Sequence, residues 1–102
     1  MDKQIRRFRP DKKKLEKALL KAHSKGLEFN MRQLINYLIA QVNSGKIDLK
    51  IEGITFNYDD YTTFSYDEKA MLSIREKINK LGFTPTNEFV VNLLFHSYLN
   101  HK

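Results

Sequence analysis

Cysteine is absent from this chain, which rules out a disulfide framework and any thiolate-bound metal and suits a reducing compartment. No apolar run approaches the roughly 18 residues that a bilayer-spanning helix requires. The opening MDKQIRRFRP has no apolar stretch behind its charges, so no secretory leader is expected. A phosphate-cradling glycine loop is missing too. His23, His96 and His101 stand without carboxylate or cysteine partners at metal-ligand spacing. Asp59 and Asp60, in NYDDY, are an ordinary turn pair ahead of a strand. These absences exclude any recognisable catalytic constellation, so we expect no enzyme, no cofactor, no metal and no small-molecule ligand. A soluble cytoplasmic protein forming one domain is the expectation for 102 residues that are 41% hydrophobic and 29% charged.

Acidic residues are scarce in one half only. Residues 1–50 carry 13 Lys or Arg against 5 Asp or Glu, whereas residues 51–102 carry 5 against 7. The halves therefore differ by +8 against −2 within a net charge of +6. A basic half of that strength attracts a polyanion, whether nucleic acid or an acidic membrane surface, although a lysine face kept for solubility gives the same composition.

The pattern along the chain is strand, helix, helix, stated twice. KQIRRFRP reads as extended, and Asp11 then offers a carboxylate to the free amides of a first helical turn. Leu15, Ala18, Leu19 and Ala22 follow at helical spacing until Gly26, and a second helix carries Leu34, Ile35, Leu38, Ile39 and Val42 on one face. YTTFSY, at 61–66, favours a strand. Asp67 caps a helix bearing Met71, Ile74, Ile78 and Leu81, which ends at Gly82. TPT predicts the next start, with Thr84 as N-cap, Pro85 at the first helical position, and Phe89, Val90, Leu93 and Leu94 on the buried face. An offset of 56 residues superposes Phe8 on Phe64, Asp11 on Asp67 and Gly26 on Gly82. An offset of 55 superposes the second helices, which predicts one extra residue in the first turn. The repeated order reads as a tandem duplication, with units at 4–44 and 60–101. Between them, 45–59 alternates Ile47, Leu49 and Ile51, then Ile54, Phe56 and Tyr58, with polar residues, the pattern of two half-buried strands or a hairpin.

An isolated unit of this kind cannot satisfy its strand or cover its helices, but two can pair their strands and close a core beneath. The arrangement resembles the ribbon-helix-helix superfamily of MetJ/Arc-type DNA-binding proteins, most closely over YTTFSYDEKAMLSIREKINKLGFTPTNEFVVNLLF. That resemblance implies a mostly helical α+β fold with a pseudo-twofold axis, and a two-stranded ribbon that enters the major groove of double-stranded DNA. With Phe8, Phe64 and Tyr66 facing the core, the outward residues are Ile5, Arg7, Arg9, Tyr61, Thr63 and Ser65. By resemblance these read base edges, the arginines suiting guanine O6 and N7. Phosphate contacts fall to Arg6, to Asn30 and Arg32 at one second helix, and to Thr84 and Thr86 at the other. Lys12, Lys13 and Lys14 can add to them.

The last helix is apolar most of the way round, with Val91, Phe95, Tyr98 and Leu99 beside its first apolar arc. We therefore expect a homodimer on adjacent sites, or cover from the middle segment. Family members of this size act as repressors, or as plasmid relaxosome or partition accessory proteins. The competing readings are a helical protein-interaction module with a merely basic arm, and a winged-helix protein with its wing at 47–58.

Overall fold

The computed structural model describes residues 3–101, with side chains from Arg6 onward. Among these, the chain forms strand β1 (Lys3–Phe8), helices α1 (Lys12–Ser24) and α2 (Met31–Asn43), strand β2 (Thr62–Asp67), and helices α3 (Glu68–Lys80) and α4 (Asn87–Leu99). Each strand runs into a helix through an aspartate. The extended backbone of Asp11 and of Asp67 brings the carboxylate under the new first turn, where it accepts from the N–H of Lys14 and of Ala70, both at 3.2 Å. Each of these helices stops at a glycine. Gly26 and Gly82 have φ of +83° and +90°, and the next residues, Leu27 and Phe83, donate back to the carbonyls of Ala22 and Ile78.

The strands pair antiparallel, with Arg7 opposite Thr63, Arg6 opposite Phe64 and Phe8 opposite Thr62. Because directly paired residues share a face, one side of the ribbon carries Phe8, Phe64 and Tyr66. All three are at most 3% exposed, and Phe8 meets Phe64 edge to face at 4.9 Å. The fold is thus α+β and mostly helical: a two-stranded antiparallel sheet over four helices.

The two halves of the chain interleave. Helix α1 lies chiefly on α4, while α2 packs on both α3 and α4. Lys21 Nζ donates to the Tyr98 carbonyl at the end of α4, and Lys77 Nζ donates to the Val42 carbonyl at the end of α2. Near the ribbon, Asn36 Nδ2 donates to the Ser65 carbonyl and Asn92 Nδ2 to the Arg9 carbonyl, each at 2.9 Å. In both pairs of contacts, corresponding donors and acceptors stand 56 residues apart in sequence. Side-chain volume is balanced across the same seams. The small Ala18 and Ala22 of α1 sit against a helix carrying Phe95 and Tyr98, whereas Ile74 and Ile78 of α3 sit against one carrying Ile39 and Val42. Close packing demands that kind of exchange, since a void or an overlap of even a methylene is destabilising.

Three expectations are corrected. First, the offset stays at 56 through the second helices. The buried Leu34, Ile35, Leu38, Ile39 and Val42 of α2 correspond to the buried Val90, Val91, Leu94, Phe95 and Tyr98 of α4, and Phe89 is only half-buried. No extra residue enters the first turn. Second, the N-cap of α4 is Thr86, whose hydroxyl accepts from the Phe89 N–H, while Thr84 and Pro85 precede the helix. Third, residues 45–59 form no strand and no hairpin, so no wing is present either. The alternation itself is real: Ile47 is buried, and Leu49, Ile51, Ile54 and Phe56 pack half-buried on the core. Period-two alternation reports that one face of an extended chain is covered, not what its backbone bonds to. Here the segment packs largely on helices, which have no strand edge to offer, and side chains supply two of its hydrogen bonds. Ser97 Oγ accepts from the Lys50 N–H at 2.9 Å, and Asp11 Oδ2 accepts from the Asn57 N–H at 3.0 Å.

This segment also answers the surplus apolar surface of α4. Nine consecutive residues, Val90–Tyr98, are buried within the one chain, with Phe56 set against Phe89 and His96. Burial of α4 therefore does not require a second copy.

Candidate nucleic-acid interface

The outer face of the ribbon is short and sparsely covered. Arg7 and Thr63 are exposed at its centre, and Ser65 is half-buried. Ile5 pairs with Ser65 and so shares that face, but its side chain lies outside the described residues. Arg9 and Tyr61 fall just beyond the strand ends. Arg6 is exposed, in the cross-strand pair that contains Phe64.

Arg9 is not presented as Arg7 is. Its Nε and Nη2 donate to the two carboxylate oxygens of Glu88, at 2.7 and 3.0 Å. That fork-on-carboxylate geometry holds the guanidinium firmly protonated and pushes the Glu88 carboxyl below its usual range, the hydrogen bond being the main cause in both. Of the two arginines expected at bases, one is therefore committed to α4. The guanidiniums also lie over tyrosines: Arg7 Cζ is 4.5 Å from the Tyr61 ring centre, and Arg9 Cζ is 5.4 Å from that of Tyr61 and 5.1 Å from that of Tyr58.

The second helices start near opposite ends of the ribbon, as the Asn36–Ser65 and Asn92–Arg9 contacts fix. Their first turns differ in charge. Helix α2 opens with Asn30 and Gln33 in a reciprocal capping box, Arg32 exposed beside them, and no acidic residue. Helix α4 opens with Glu88, and Thr84 and Thr86 are exposed ahead of it. An anion is accommodated better at the α2 end, where the helix dipole and Arg32 act together and the first turn carries no carboxylate. Asp59 and Asp60, both exposed, add negative charge at the exit of β1, where Asp59 accepts from the Lys12 N–H. Lys12 and Lys13 are exposed, but Lys14 turns inward, its Nζ 3.3 Å from His96 Nδ1.

Sequence reasoning missed Glu88 as a partner for Arg9, 79 residues away. The ring contacts of Tyr61 were equally invisible, because both depend on how α4 and the connecting segment meet the ribbon. The capping role of Thr86 was missed in favour of Thr84, although a constant offset of 56 places Thr86 on Asn30. Among the described residues, no helix is long and apolar enough to cross a membrane, and no three His, Cys, Asp or Glu gather as a metal site. No protein-family model, curated protein or solved structure matches this chain.

Proposed function

We propose that the chain is a single-chain ribbon-helix-helix protein that binds double-stranded DNA sequence-specifically, laying the outer face of β1 and β2 in the major groove. The observation that carries this reading is the register. Arg7 faces Thr63, the residue 56 positions later, so the pairing is centred on one position of the repeat and its counterpart. Such a register, together with interhelical and ribbon contacts that recur at the same offset, supports a duplicated unit folded about a pseudo-twofold axis.

Arginine on one strand and threonine on the other give the two halves of the site different chemistry. Arg7 suits a guanine edge, whereas Thr63 and Ser65 donate or accept at several bases. The target is accordingly an asymmetric site, with phosphate contacts strongest beside Asn30 and Arg32. The reading does not depend on a homodimer, and one chain suffices for one site. Acting as a transcriptional regulator, or marking a site as a relaxosome or partition accessory protein, both follow from such binding.

The test is selection of a preferred site from a random duplex library, followed by titration at two salt concentrations. A discrete site and a steep loss of affinity with salt are expected. Arg7→Ala should abolish discrimination at one base pair, worth about 1–3 kcal/mol. Equal weakening of all sequences by that change would reduce the ribbon to an electrostatic arm.

A further inference from the structure

Tyr61 is 55% exposed and lies outside the strands, so neither core packing nor sheet pairing accounts for a large ring at that place. Its ring contacts are cationic. Arg7 Cζ sits 4.5 Å and Arg9 Cζ 5.4 Å from its centre. Arg9 is itself fixed, by two hydrogen bonds to Glu88 in the first turn of α4 and by the Tyr58 ring at 5.1 Å. A continuous line of contacts therefore runs from α4 through Glu88, Arg9 and Tyr61 to Arg7.

We infer that Tyr61 is a positioning residue for Arg7, holding the guanidinium in place on the ribbon so that its in-plane N–H groups stay directed at a paired acceptor such as guanine O6 and N7. The inference deepens the DNA-binding reading and rests on it. Stacking uses the face of a guanidinium and leaves the donors along its edge free, which a carboxylate partner would not do. Arg9 and Arg7 illustrate the two outcomes: the first has its fork filled by Glu88, the second lies against the Tyr61 ring. The residue opposite Arg7, Thr63, is too short to restrain it. A long side chain that is ordered before binding loses less freedom on contact, and a bidentate contact tolerates little tilt, so the gain falls on discrimination rather than on general affinity.

The experiment compares the wild type with Tyr61→Ala, Tyr61→Leu, Tyr61→Phe and Arg7→Ala. Each is titrated with the selected duplex, its single-base variants and a random duplex. In the free proteins, NMR reads the ring-current shift of the Arg7 side-chain protons. Tyr61→Ala and Tyr61→Leu should cut discrimination at the Arg7 base pair by about 3- to 10-fold, with random-duplex affinity nearly unchanged. Tyr61→Phe should retain it, and the ring-current shift should disappear in the first two and persist in the third. Wild-type discrimination in Tyr61→Ala, alongside its loss in Arg7→Ala, would overturn the inference and leave the DNA-binding reading standing. Equal weakening on every duplex by Tyr61→Ala would also overturn it. A wild-type protein with no duplex affinity would remove both.

Discussion

Replacing Asn92 by alanine is the sharpest test of how the ribbon is fastened to the helices. Asn92 is fully buried, and its amide joins three backbone groups. Oδ1 accepts from the Asp11 N–H at 2.7 Å, and Nδ2 donates to the carbonyls of Arg9 and Glu88, each at 2.9 Å. Asp11 is 4% exposed, so its orphaned N–H would cost about 1–3 kcal/mol. The Arg9 carbonyl is only part-buried and adds less, while the Glu88 carbonyl stays within the helix ladder. With a small cavity included, Asn92→Ala should destabilise by about 2–4 kcal/mol. For a domain of this size that lowers Tm by about 10–30 °C. The control is built into the chain. Asn36 makes the corresponding bonds to the carbonyls of Arg32 and Ser65 but is half-buried, and water can replace what alanine removes. Asn36→Ala should cost only about 0.5–1 kcal/mol. Urea unfolding followed by far-ultraviolet circular dichroism gives both values. Equal effects of the two substitutions would refute the claim that the buried Asp11 N–H, which has no counterpart at Asn36, sets the penalty.

Two further predictions follow from single groups. His96 is pushed below its ordinary value, chiefly by burial and then by the Lys14 ammonium, against the Glu52 carbonyl contact that pulls it up. The unfolded chain, with a histidine near 6.5, therefore takes up the proton first. Stability is complete above about pH 6.5 and falls as the pH drops from there toward the folded value. His96→Gln should flatten the slope of unfolding free energy between about pH 7 and 5, and an unchanged slope would exclude His96 as its source. Gly82→Ala should cost about 1–2 kcal/mol through backbone strain alone, since φ is +90° and a Cβ there would meet nothing within 4 Å. Differential scanning calorimetry checks this, and a neutral substitution would mean that the turn relaxes.

The connecting segment shows where sequence pattern stops being decisive. Ile47 to Phe56 alternate as a strand would, and the alternate residues do face the core. Yet that face packs on helices rather than on a second sheet, and an amphipathic period cannot name its partner. A similar limit applied to Arg9. Its position two residues after Arg7 implies a shared outward face, but β1 ends at Phe8 and a glutamate on α4 captures the guanidinium.

The order strand, helix, helix, the aspartate caps, the terminating glycines and the inward Phe8, Phe64 and Tyr66 were set by the chain itself, because each depends on neighbours within about one helical turn or on the two-residue period of a strand. Tertiary structure decided the rest: which helix lies on which, the register that puts Arg7 opposite Thr63, the burial of α4 by the connecting segment, and the division of labour between Arg7 and Arg9. Those outcomes turn on contacts between residues tens of positions apart, where close packing and the pairing of buried polar groups select among arrangements that local preference leaves equal.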